Sequence, residues 1–176
     1  MANDTAPEFS QTLHHVFVYG TLRRDYVRLP KTEYTALRPP DVLQVHGRYC
    51  GRARLSGYRL LDLGSYPGVI EADGEQGKEA VVIGDWVYVE EMAQVLPQLD
   101  AYEGVGEGSD DDAYRREVCW VAGTPGYVYV YKGSADGLPV VESGDYVAYL
   151  CGKAGIDFRY DSVEGEADAG RPLCCR

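Results

Sequence analysis

Apolar residues follow strand-like spacing over most of the chain. Short runs rich in β-branched and aromatic residues predict β-strands. These runs lie at residues 14–20, 42–51, 58–64, 80–90, 114–123 and 126–131. The last two flank a Thr-Pro-Gly turn at residues 124–126, so they are predicted to form a hairpin.

Helical spacing is scarce. Its best example is residues 90–104, which end at Gly104, a typical helix C-terminal residue. The apolar positions at i, i+3, i+4 and i+7 are Met92, Val95, Leu96 and Leu99. Pro97 should break or kink this helix, because proline removes a backbone donor and clashes with the preceding turn. A short helix at 144–155 and a single turn at 23–29 are also predicted. Many strands with few helices favour an α+β domain or a small barrel.

The chain has 176 residues, a length that predicts one folded domain. We expect that domain to cover residues 14–160. Residues 1–13 are polar and without periodicity, and 161–176 are acidic and rich in glycine, so both ends should be disordered.

Charge limits the choice of partner. Lys and Arg number 17 against 28 Asp and Glu, a formal net charge of −11. That balance disfavours nucleic acid and anionic membrane surfaces and favours a small-molecule ligand. No apolar run approaches the roughly 18 residues of a membrane span, and the polar start is unlike a signal peptide. The five cysteines show no metal-site spacing, so we expect reduced thiols and a cytoplasmic location.

Residues 17–22 place a glycine directly after an apolar strand. At such a turn, successive backbone N–H groups can converge on a carboxylate or phosphate. The turn lacks the further glycines and the lysine of a nucleotide-binding P-loop. An ordinary strand end remains the alternative on local grounds.

Glu103 lies at the C-terminus of the helix predicted at 90–104, where the macrodipole disfavours a carboxylate. It is either a solvated surface acid or a buried general base with a raised pKa in a tyrosine-lined cavity. Tyrosines at 127, 129 and 131 would share one face of a strand and could supply that lining. His14, His15 and His46 lack metal-ligand spacing, so no metal site is predicted.

Seven segments in this order resemble the gamma-glutamylcyclotransferase family, in its branch of AIG2-like proteins and gamma-glutamylamine cyclotransferase. They read VFVYGTLR, GYRLLDLGSYPGVI, VVIGDWVYV, LDAYEG, YRREVCWV, GYVYVY and SGDYVAY, and together span about residues 16–149. The resemblance implies a small mixed β-barrel flanked by short helices. It also implies a transferase or lyase that forms 5-oxoproline.

The resemblance assigns roles to single residues. Tyr19, Gly20, Thr21 and Leu22 would hold the gamma-glutamyl head group through backbone N–H groups. Glu103 matches the catalytic glutamate, Tyr114 a tyrosine near the site and Tyr129 an aromatic position of the cavity wall. Two departures from the family pattern are Pro97 and the acidic insert at 106–113.

The implied reaction is intramolecular aminolysis. The alpha-amine of a gamma-glutamyl amine, amino acid or peptide attacks its own side-chain carbonyl, releases 5-oxoproline and needs no cofactor. The alternatives are a non-catalytic module that binds a small gamma-glutamyl or amino-acid ligand, and a hairpin-rich interaction domain. A monomer or a homodimer would suit any of these functions.

Overall fold

The structure is a computed structural model that describes residues 12–106 and 112–160. The predicted tail 161–176, most of the segment 1–13 and most of the acidic insert lie outside the described residues. The elements follow one another as β1 (His15–Val18), α1 (Arg24–Arg28), α2 (Val42–His46), β2 (Gly47–Ser56), β3 (Tyr58–Asp62), β4 (Pro67–Glu71), α3 (Gly74–Gly77), β5 (Val81–Val89), α4 (Met92–Glu103), β6 (Tyr114–Val121), β7 (Thr124–Tyr131) and α5 (Tyr146–Ala154).

Five strands form one mixed sheet in the order β2, β5, β1, β7, β6. The central strand β1 runs antiparallel to β5 and parallel to β7. Strands β3 and β4 form a separate antiparallel ribbon. The predicted α+β class with short helices is confirmed, as is the hairpin of β6 and β7. Within the described residues the sheet stays open instead of closing into a barrel.

The two faces of the sheet belong to different hydrophobic clusters, because successive side chains of a strand point in opposite directions. On β1, Phe17 joins one cluster, whereas Val16 and Val18 join the other. Helix α5 contributes Tyr146, Val147 and Leu150 to the first cluster. Helix α4 contributes Met92, Val95 and Leu99 to the second. The central strand is therefore covered on both sides.

Helix α4 differs from expectation at Pro97. The helix is continuous from Met92 to Glu103 with the proline inside it. Its buried apolar stripe, which includes Val95 and Leu99, offsets the backbone hydrogen bond that proline cannot donate. The helix ends at Gly104 in the left-handed conformation, with φ 67°, as the sequence predicts.

Residues 42–51, predicted as one strand, divide between α2 and β2. Val42 and Leu43 are adjacent and both buried in the cluster that contains α4. Neighbouring residues of a strand face opposite sides, so this adjacent pair suits a helical turn better.

The cysteines are not all reduced thiols. Cys119 and Cys151 are free and buried, as expected. Cys50 is disulfide-bonded, so the expectation is wrong at that position.

Candidate active site

A cavity of about 340 Å³ lies where the loop after β1 meets the C-terminal end of α4 and the β6–β7 hairpin. All seven residues predicted for the site line it: Tyr19, Gly20, Thr21, Leu22, Glu103, Tyr114 and Tyr129. Further lining residues, which sequence reasoning did not assign to the site, include Leu37, Tyr66, Pro67 and Tyr102. The fold therefore gathers residues that are up to 110 positions apart in the chain.

The loop of residues 19–22 is compact because of a close approach to the β3–β4 ribbon. The Arg23 N–H donates to the Gly20 carbonyl at 3.1 Å, which closes a turn. A Cβ atom at position 20 would lie 2.7 Å from Cγ of Pro67, so only glycine fits here. Within the described residues, the N–H groups of Gly20, Thr21 and Leu22 donate to no protein acceptor. They are available for an anion.

The side chain of Arg23, the residue directly after this loop, anchors the loop to the rest of the domain. Its side chain is completely buried. Its Nε donates to Asp85 Oδ1 at 3.2 Å and its Nη1 to Asp145 Oδ1 at 2.9 Å. Its Nη2 donates to the Tyr160 hydroxyl at 2.9 Å. The guanidinium thereby ties the loop to β5, to the N-terminus of α5 and to the last described residue.

Electrostatics explain why this buried cation is tolerated. Burial acts to lower the pKa of Arg23, but the carboxylates of Asp85 and Asp145 raise it above its ordinary value. The second oxygen of Asp85 accepts the Arg24 N–H at 2.7 Å. Asp145 caps α5 by accepting the Ala148 N–H at 3.1 Å. Sequence reasoning missed this network, although a single acid inside the apolar strand β5 is a signal that a buried partner exists.

Glu103 is the last residue of α4 and points to the cavity. Burial raises its pKa to about 7. Among the described residues, its carboxylate has no hydrogen-bond or ion-pair partner. A carboxyl group with these properties can accept or donate a proton near neutral pH.

Tyrosines form the wall around Glu103, and four of them, Tyr19, Tyr102, Tyr114 and Tyr129, have hydroxyl groups hydrogen-bonded to the protein. Tyr19 donates to the Tyr129 carbonyl at 2.7 Å, and Tyr114 donates to the Pro67 carbonyl at 2.7 Å. Thr21 Oγ1 and the Tyr102 hydroxyl share a hydrogen bond of 2.7 Å. These bonds connect β1, the ribbon, α4 and the hairpin, so the cavity has a fixed shape.

Two further features of the described residues bear on other functions. No group of three or more His, Cys, Asp or Glu side chains is arranged to hold a metal ion. Among the helices of that part of the chain, none is long and apolar enough to cross a membrane.

Comparison with known proteins shows the family of this chain. Residues 16–148 match the family described as gamma-glutamyl cyclotransferase, AIG2-like. A putative gamma-glutamylcyclotransferase of Vibrio cholerae serotype O1 is 32% identical over 133 residues, which cover 76% of this chain and 95% of the relative. The gamma-glutamylcyclotransferase family protein YtfP of Escherichia coli K12 is 26% identical over 132 residues, or 75% of this chain and 95% of that protein.

Solved structures show the same fold. An uncharacterised protein of Pyrococcus horikoshii superimposes with a TM-score of 0.58 at 16% identity, covering 82% of this chain and 99% of its own. An AIG2-like protein of Mus musculus superimposes with a TM-score of 0.51 at 22% identity, covering 86% of this chain and 99% of its own. At these identities the similarity concerns the fold alone.

Proposed function

We propose that this chain, which belongs to the gamma-glutamyl cyclotransferase, AIG2-like family, releases 5-oxoproline from a small gamma-glutamyl compound. The observation that carries the proposal is Glu103, a carboxyl group with a pKa of about 7 inside the cavity. A surface acid would keep an ordinary pKa. A carboxyl group that titrates near neutral pH suits proton transfer to and from an amine.

The proposed reaction is a ring closure. The alpha-amine of the gamma-glutamyl group attacks the side-chain carbonyl carbon, and a new C–N bond forms. The bond from that carbon to the nitrogen of the leaving amine then breaks. The ammonium loses two protons on its way to the lactam N–H: Glu103 accepts the first before the attack and the second from the attacking nitrogen after it. Glu103 passes both to the departing nitrogen, so the products are 5-oxoproline and the amine as its ammonium ion. Protons and atoms balance without a cofactor.

Holding the bent substrate supplies much of the acceleration. Well-oriented intramolecular reactions reach effective molarities of about 10⁵–10⁸ M. The N–H groups of Gly20, Thr21 and Leu22 are proposed to hold the alpha-carboxylate, because no protein acceptor among the described residues uses them. With the carboxylate held by this loop, the alpha-amine can face Glu103 across the cavity.

The test is incubation of the protein with a panel of gamma-glutamyl amines, amino acids and peptides, with 5-oxoproline measured by mass spectrometry. We expect product with at least one member of the panel. Glu103→Gln should abolish it, whereas Glu90→Gln, at an exposed acid just before α4, should behave as wild type. Binding without formation of 5-oxoproline would favour the alternative function, a non-catalytic module that binds a gamma-glutamyl ligand. Full activity of Glu103→Gln would mean that Glu103 does not transfer protons in the reaction, and it would overturn the mechanism.

Three further expectations concern the ligand, the location and the oligomeric state of the protein. A small-molecule ligand suits a cavity of about 340 Å³. A cytoplasmic location, and a monomer or homodimer, stay predictions.

A further inference from the structure

Two tyrosine hydroxyl groups of the cavity wall donate their protons to acceptors of the protein itself. Tyr114 donates to the Pro67 carbonyl at 2.7 Å. Tyr129 donates to Asp100 Oδ1 at 2.8 Å. A phenol has only one proton to donate, so each of these oxygens can only accept a further hydrogen bond from a bound ligand.

Glu103 adds a third acceptor to the same cavity. Its carboxylate interacts electrostatically with the hydroxyl groups of both Tyr114 and Tyr129. Each of the three residues lines the cavity. The wall around Glu103 is therefore rich in acceptors, while the N–H donors belong to the loop of residues 19–22.

We infer that Tyr129 and Tyr114, together with Glu103, form the site for the substrate's alpha-ammonium group. An ammonium has three donors and no acceptor, which matches three acceptor oxygens. The inference rests on the proposed function and adds two residues that select for a free alpha-amine. It predicts that the loop recognises the carboxylate of the ligand and the tyrosine wall recognises its amine.

Asp100 is the positioning residue for Tyr129. One of its oxygens accepts the Tyr129 proton, and the other is ion-paired with Arg116 Nη1. An asparagine at position 100 would direct its amide oxygen to Arg116, because two N–H groups cannot bond each other. Its NH₂ would then donate to Tyr129, and the Tyr129 proton would turn into the cavity. Asp100→Asn should thus change the Tyr129 hydroxyl group from an acceptor into a donor toward the ligand, while every side chain of the cavity wall is kept.

The experiment uses two unreactive ligands that differ only in the alpha-ammonium: L-2-aminohexanoate and hexanoate. Their dissociation constants are measured by NMR titration with wild type and variants of the full chain. A hydrogen bond to a charged group contributes about 10- to 100-fold in affinity. Tyr129→Phe and Asp100→Asn should each lower the affinity for L-2-aminohexanoate by about 10-fold or more. The affinity for hexanoate should fall by less than about 2-fold.

The matched control is Tyr127→Phe, two residues earlier on β7. The ring of Tyr127 lies 5.2 Å from the Arg116 guanidinium carbon and does not line the cavity. Its replacement should leave the affinities of both ligands unchanged. Folding of each variant is checked by thermal denaturation.

The outcomes separate this inference from the proposed function. Equal weakening of both ligands in Tyr129→Phe and Asp100→Asn would mean a purely structural role and overturn the inference. The inference would also fail if Tyr127→Phe matched Tyr129→Phe. If the selective loss is seen but wild type forms no 5-oxoproline from the panel, the ammonium site stands and the catalytic proposal falls.

Discussion

Gly20 and Pro67 are packed so closely that the loop after β1 has no room for a side chain. A Cβ atom on Gly20 would lie 2.7 Å from Cγ and 3.1 Å from Cδ of Pro67. The proline ring is itself held in place, because its carbonyl accepts the Tyr114 hydroxyl. The shape of the loop of residues 19–22 therefore depends on its contact with the separate β3–β4 ribbon.

Gly20→Val should impair ligand binding more than it impairs folding. The branched side chain must displace either the loop or the ribbon, so the N–H groups lose their alignment on the carboxylate. We expect apparent affinity for the best gamma-glutamyl substrate to fall by about 10-fold or more, the cost of one charge-assisted hydrogen bond. Thr21→Ser should be mild. The control is Gly152→Ala, where the added Cβ meets nothing within 4 Å. An unchanged affinity in Gly20→Val would mean that the loop does not bind the ligand.

The rate should fall in acid with the titration of Glu103. Only the ionised carboxylate can accept a proton from the substrate, and its pKa is about 7. The value of kcat/KM, which reports the free enzyme, should decline as the pH drops below about 7. Glu103→Gln should lose at least about 100-fold in rate at pH 8, where the wild-type carboxylate is ionised, since general acid–base catalysis typically contributes 10² to 10⁴. A rate that stays constant from pH 5 to 8 would contradict the assignment.

The same residue should destabilise the fold in alkaline solution. Glu103 titrates at about 7 in the folded protein, against an ordinary value of 4.5 in the unfolded chain. The folded state therefore binds more protons between these values, and stability falls as the pH rises through that window. Glu103→Gln should be more stable than wild type at pH 8, by roughly 1 to 3 kcal/mol, and equal to it near pH 4.5.

Urea denaturation at the two pH values measures this difference. Glu90→Gln should show no such change between them. A Gln variant that is less stable than wild type at pH 8 would mean that the carboxylate is stabilised by a partner rather than strained by burial.

Arg23→Leu should be among the most destabilising single changes in the described residues. It leaves the carboxylates of Asp85 and Asp145 buried without their cation. Breaking a buried ion pair from one side costs about 3–5 kcal/mol. The free energy of unfolding from urea titration measures the loss. The control is Arg115→Leu, which removes a partly exposed ion pair with Glu117 and should cost less than about 1 kcal/mol. Similar losses in the two variants would mean that the ion pairs of Arg23 do not stabilise the fold more than an exposed pair does.

The C-terminal boundary of the domain should lie just after Tyr160. A chain of residues 13–161, compared with the full chain under reducing conditions, should keep its thermal midpoint, because the predicted tail is poor in apolar residues. A chain of residues 13–155 should lose stability, since Ile156 and Phe158 pack on the core and Tyr160 bonds Arg23. A large drop for 13–161 would show that the tail packs on the domain.

The sequence predicts those parts of the molecule that depend on local pattern. The alternating apolar residues of β1, β5 and β7 and the left-handed cap at Gly104 follow from spacing and residue type. Contacts between distant segments have no such local signal. The clamp of Arg23 with Asp85 and Asp145 joins residues that are 62 and 122 positions apart, and Tyr129 bonds Asp100 across 29 positions.

Helix α4 shows why local rules also fail. Proline is unfavourable inside an isolated helix, yet Pro97 lies in one whose buried face packs on the core. Burial of Val95 and Leu99, each 0% exposed, outweighs the local penalty. Tertiary packing, which the sequence pattern does not display, decides the conformation here.

The central position of β1 has a kinetic consequence for ligands. Strands in the middle of a covered sheet open only when the whole domain unfolds, and the loop of residues 19–22 continues directly from such a strand. The anion that we propose for this loop would therefore meet a site that is already assembled, and its binding would not wait for the loop to become ordered. Differences in affinity between related ligands should then arise in how long each one stays bound, rather than in how fast it arrives.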